Sequence, residues 1–188
     1  MDAVAVLKDM LEDGAPNRVY DIFDPSCLSL YAACPSEWLR GVLARDDVKV
    51  VLLQTPAAAA LYGAQQDDDT LHLVSPLLGS VVQYRRPHFG DALLQLALRL
   101  VRDAAHAHPE YTKYYIATIS ELDSDMMPQV APYRRYVLPA HAPLLLSDLR
   151  LRVRTDGDRL DQLAPAIRKL QDYVRANENY LRDELMFL

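Results

Sequence analysis

Arg85, Arg86 and Gly90 stand at one junction, in the stretch SVVQYRRPHFGDALLQLALRLV at 80–101. A β-branched and aromatic run meets two cations, a proline and a lone glycine, then a segment of helical period. Guanidinium groups beside a helix N-terminus can hold a phosphate, because the orphan N–H groups and the positive end of the dipole attract anions. The same residues also suit an ordinary strand-to-helix turn with two solvated arginines. Two further side chains could move a proton. Glu121 follows YYIATIS (114–120), where a carboxylate could deprotonate an amine. His72, in TLHLV, titrates near neutral pH and is a rival base. Their plainer readings are a solvated loop glutamate and a hydrogen-bonded sheet histidine.

The elements that must position these groups follow from pattern. A first helix covers 3–12, ending at Gly14, and RVYDIF (18–23) is a strand or a single helical turn. Residues 24–47 form two short helices split at Pro35, with Ser36 as the second N-cap. VKVVLLQT (48–55) is β-branched and uninterrupted, a strand buried on both faces. TLHLVSPLLG (70–79) reads as another strand, interrupted at Pro76, and SVVQYR (80–85) either continues it past a bulge or pairs as a new strand. Leu93, Leu96, Ala97, Leu100, Val101 and Ala104 recur at helical spacing, so 91–106 is a helix opened by Asp91 and stopped by Pro109. YTKYYIATIS (111–120) is the next strand, and 121–137 a loop with a short helix. Alternation from Leu149 to Arg154 makes 142–155 a half-exposed strand. Residues 160–187 read as one long helix, with Pro165 in its first turn and Asn177 where another apolar residue is due. The expected division is one domain over 1–157 and a C-terminal helix over 158–188 that packs on it or on a partner.

The totals exclude several classes. The chain has 188 residues, 51% of them hydrophobic, enough for one domain with a core. Six glycines disfavour a Rossmann fold. A net charge of −6 argues against nucleic acid as a partner. The spacing of Cys27 and Cys34 matches no zinc motif, and Asp67–Asp69 read as a solvated turn, so no metal is expected. No apolar run approaches the roughly 20 residues of a membrane span, and the acidic N-terminus is no signal peptide. The expectation is a soluble, cytoplasmic protein.

From 48 to 138 the order is strand, strand, strand, helix, strand, short helix, and it resembles the GNAT acyltransferase superfamily. In that family a turn of pattern Arg/Gln-x-x-Gly-x-Gly/Ala joins a strand to a helix and holds the pyrophosphate of acyl-coenzyme A. Gly90 and Ala92 match its last two positions, and the resemblance implies an acetyl-CoA site at Val82, Arg85, Arg86, Gly90 and Ala92. QVAPYRRYVL (129–138) is similar to the family's following helix. Tyr133 there matches the tyrosine that protonates the departing thiolate, and the amine base would be Glu121 or His72.

Two function hypotheses follow, on an α/β or α+β fold with a central mixed sheet of about five to six strands and flanking helices. The first is an acyl-CoA-dependent N-acetyltransferase acting on a small or protein amine. The second is a non-catalytic interaction protein that uses the acyltransferase-like scaffold and its C-terminal helix to bind a protein partner or a second copy. Pro87, standing at the motif's Arg/Gln position without an N–H, favours the second. Val137–Leu138, where Gly-Phe is expected, does the same.

Overall fold

A computed structural model describes residues 3–13, 18–60, 82–86, 88–107, 113–122, 134–151 and 158–187. The chain begins with α1 (Ala3–Asp13), a 3₁₀ turn (Pro25–Cys27), α2 (Leu28–Tyr31) and α3 (Pro35–Ala44). Pro35 opens α3 as its first residue behind an N-cap at Cys34, two positions before the expected Ser36; proline is pre-set for that position and gives up an N–H that would be orphaned anyway. Strand β1 (Val50–Gln54) follows, and residues 56–60 are helical. Then come β2 (Val82–Tyr84), α4 (Asp91–Ala107), β3 (Tyr114–Ile119), β4 (Arg134–Leu138), α5 (Ala142–Asp148), α6 (Asp158–Ala176), α7 (Tyr180–Glu184) and β5 (Leu185–Phe187).

The fold is α/β. Strands β1, β3 and β4 form a parallel sheet with β3 in the centre, while β2 and β5 form a separate antiparallel pair. Among the described residues this stands in place of the expected mixed sheet of five to six strands. The expected strand at 70–79 lies outside the described residues.

Strand β3 is apolar on both faces because both are covered, the usual condition of parallel strands. Tyr114 and Ile116 join Leu98 and Val101 of α4 on one side. Tyr115, Ala117 and Ile119 join α1, α5 and α6 on the other, with Leu145, Leu163 and Ile167 at its centre. Helix α4 has two apolar faces. Leu94, Leu98 and Val101 meet the sheet, whereas Leu93, Leu96, Ala97 and Leu100 meet Tyr31, Trp38 and Leu39 of α2 and α3. Buried Lys113, just before β3, donates to the Leu43 and Arg45 carbonyls and so closes the C-terminal end of α3.

Three expected elements are corrected. Residues 134–138, assigned to a short helix, are strand β4. Their alternation puts Tyr136 and Leu138 in the core and leaves Arg134 and Val137 exposed. Residues 142–148, assigned to a strand, are α5, which seats Ala142, Leu145 and Leu146 against the sheet. Leu149–Arg150 close that helix: Arg150 N–H meets the Ser147 carbonyl and Leu151 N–H the Leu146 carbonyl, both at 2.9 Å, with Arg150 at φ 60°. This is a Schellman cap with arginine in the usual glycine place. The single C-terminal helix is two helices and a strand. Asn177 ends α6, its side-chain amide donating to the Tyr173 carbonyl at 2.7 Å. Pro165 sits inside α6 rather than in its first turn, removing the N–H that would meet the Asp161 carbonyl. Leu163, Ala166 and Ile167 of α6 belong to the main core, so the apolar stripe of this helix packs on the chain's own domain.

Candidate functional site

The junction at 85–92 is built from contacts within the chain. The backbone N–H of His88 donates to the Asp91 carboxylate at 2.6 Å, and that of Gly90 to His88 Nδ1 at 3.2 Å. Asp91 N–H meets the His88 carbonyl at 3.1 Å. A carboxylate thus complements the start of α4, where the phosphate reading needs a ligand anion. Gly90 is buried and does not have a positive φ. Its reason is close approach: a Cβ there would lie 2.6 Å from the Ile22 carbonyl oxygen and 2.9 Å from the Phe23 ring.

The other residues of the proposed phosphate site divide between structure and surface. Val82 pairs opposite Phe187 in the β2–β5 ribbon. Arg85 holds the C-terminal segment, its backbone N–H donating to the Glu184 carbonyl and its Nε to the Arg182 carbonyl, both at 2.8 Å. Arg86 and Ala92 are exposed. Pro87 lies outside the described residues.

Glu121 stands at the carboxyl edge of the parallel sheet, where open α/β folds bind ligands. The turn is closed by Leu122 N–H to the Ile119 carbonyl at 3.1 Å and places Glu121 at φ 64°. Its carboxylate pairs with Arg175, which also holds Asp172 at 2.9 Å. Buried Gln171 donates its amide to the Ser120 carbonyl at 2.7 Å and to the Ser120 hydroxyl at 3.0 Å. Helix α6 therefore clamps this turn. His72 and Tyr133 lie outside the described residues. The acyltransferase reading also needs the strand before Gly90 beside the strand that follows α4. Instead β3 lies between β1 and β4, and β2 pairs with β5.

Sequence reasoning passed over a tyrosine network at the start of β4. The Tyr136 hydroxyl donates to the Asp148 carboxylate, which also binds Arg134 at 3.1 Å, while the Tyr115 hydroxyl donates to the Asp148 carbonyl at 3.3 Å. Burial, then the Asp148 hydrogen bond, pushes the Tyr136 phenol up to about 12. It is a hydrogen-bond donor that fastens α5 to the sheet. The alternation of RRYVL was the available signal. Also missed was a run of ring contacts from Tyr20 through Trp38, Tyr31, Phe89 and His88 to Phe23, with Phe23 and Phe89 over a third exposed.

Among the described residues no group of three His, Cys, Asp or Glu side chains is placed to hold a metal. No described helix is long and apolar enough to cross a membrane. Neither a protein-family model nor a curated protein matches the chain.

Proposed function

We propose that this chain is a non-catalytic interaction protein whose docking element is the segment that follows α6. The observation that carries the reading is how the described site residues are used. Arg85 is bound to the Arg182 and Glu184 carbonyls, Gly90 is packed under Ile22, and the Glu121 carboxylate is paired with Arg175. Groups that would have to meet a cofactor or an amine instead fasten one part of the chain to another. Leu185, in the final strand, is the one fully buried residue of a small cluster with Ala57, Ala60, Leu94 and Leu181, separate from the main core.

The test is a calorimetric titration of the full chain with acetyl-CoA, alongside thermal unfolding at millimolar ligand. The expected result is no saturable heat and an unchanged Tm. A ligand at a hundred times its Kd would add about 2.7 kcal/mol, and at about 2 to 4 °C per kcal/mol the shift could not be missed. Saturable binding would overturn the reading. It would return the chain to the acyltransferase hypothesis, with Tyr133 and His72 as the first groups to substitute.

A further inference from the structure

We infer that the C-terminal segment, residues 177–187, exchanges between two copies of this chain, each copy's β5 pairing with the other's β2. The inference rests on the interaction-protein reading and names the partner as a second copy. It starts from the separation between what tethers the segment and what holds it. Its apolar contact and its strand pairing are made away from α6. Leu185 is 0% exposed against Ala57, Ala60 and Leu94. Strand β5 pairs with β2, and Arg85 grips two carbonyls of α7. Helix α7 itself buries no side chain. The tether is a turn held by local bonds: Asn177 N–H to the Val174 carbonyl at 3.2 Å, Tyr180 N–H to the Asn177 carbonyl at 2.9 Å, and Arg182 N–H to the Asn179 carbonyl at 2.8 Å. Residues 177–179 are all exposed.

Opening that turn loses its own local bonds, while a second copy remakes the pairing with β2, the Leu185 contacts and the bonds from Arg85. The exchange is opposed by association entropy, and its extent rises with protein concentration. A straightened three-residue hinge spans about 10 Å, so the two copies meet near the ends of their α6 helices. Tyr173 stands there, 52% exposed, its carbonyl already held by the Asn177 amide. Burial of this ring between the copies is the new contact that favours the dimer.

The test refolds the full chain from urea at low and at high protein concentration and reads mass by light scattering. The same is done for Val82→Cys/Phe187→Cys in a Cys34→Ser background, oxidised with glutathione disulfide, since Val82 and Phe187 stand directly opposite. Expected are monomer with an intrachain link at low concentration, and a dimer with an interchain link at high concentration. Tyr173→Ser, at a half-exposed ring, should lower the dimer fraction several-fold without loss of folding. Monomer at every concentration, or a dimer holding only intrachain links, would overturn the inference. The acetyl-CoA titration decides the interaction reading independently of either result.

Discussion

Replacing Gly90 with alanine tests whether the start of α4 is a packing contact. The added Cβ meets the Ile22 carbonyl oxygen at 2.6 Å. The near limit for a carbon against a carbonyl oxygen is about 3.3 Å, so backbone must retreat by about 0.7 Å. The Phe23 ring, the next neighbour at 2.9 Å, can swing, but the carbonyl cannot. That same carbonyl accepts the hydroxyl of buried Tyr31 at 2.9 Å. Overpacking of this kind costs about 1–3 kcal/mol, and loosening one buried hydrogen bond adds about 1 kcal/mol. Alanine regains about 0.5–1 kcal/mol through the unfolded chain. The net expectation is a loss of about 2 kcal/mol, a Tm lower by about 4–8 °C. The matched control is Gly41→Ala in α3, where nothing lies within 4 Å of the new Cβ. It should gain about 0.5–1 kcal/mol. Urea unfolding of both variants is the assay. If Gly90→Ala is neutral or stabilising like Gly41→Ala, the packing argument fails and the junction regains its claim to be a ligand turn.

Arg150→Gly should stabilise the chain by about 0.5–1 kcal/mol, since a left-handed residue with a Cβ costs about 1–2 kcal/mol and glycine returns part of that through unfolded-state entropy; Arg150→Ala, which keeps the Cβ, should show no such gain in the same denaturation. Lys113→Met leaves the Leu43 and Arg45 carbonyls without their donor and should lower stability by about 1–3 kcal/mol, read from the urea midpoint. The Lys8 ammonium, then the Ser26 N–H, holds the Asp24 carboxyl at about 2. A depressed carboxylate contributes above its unfolded pKa, about 3.9, and loses that contribution as pH falls towards 2. Wild type should therefore melt above Asp24→Asn at pH 7, and the gap should close by pH 2; an equal gap at both would refute the pairing.

These tests bear on a site whose parts were legible in the sequence while their use was not. Arg85 was readable as a cation beside a helix start. Its acceptor lies 97 residues further along the chain, and no local pattern encodes a partner at that distance. Glu121 was placed correctly at the end of the central strand, but Arg175 reaches it from another element. The stretch around Tyr133 and Tyr136 fits a helix motif as well as an alternating strand, and only the alternation buries Tyr136. The acyltransferase resemblance rested on the order of elements. Order along the chain does not set order within a sheet, and here β2 left the parallel sheet to pair with β5.

Elements whose signals are local and redundant follow from the residues alone. Strand β1 has an uninterrupted apolar run from Val50 to Leu53. Helix α4 has Asp91 in its first turn and a helical period that continues to its end. The last segment reads as one helix, and it breaks at Asn177, where an apolar residue was due. Tertiary structure decided what local signals leave degenerate. LLLSDLRLR carries both a helical and an alternating pattern. The helix prevails over 142–148 because it seats Ala142, Leu145 and Leu146 together on the sheet, and because Arg150 accepts a left-handed backbone that no glycine announced. Burial against a distant surface outweighs about 1–2 kcal/mol of local strain. For the same reason Gly90 is a packing residue: the atom that forbids a side chain there belongs to Ile22, which only the fold brings near.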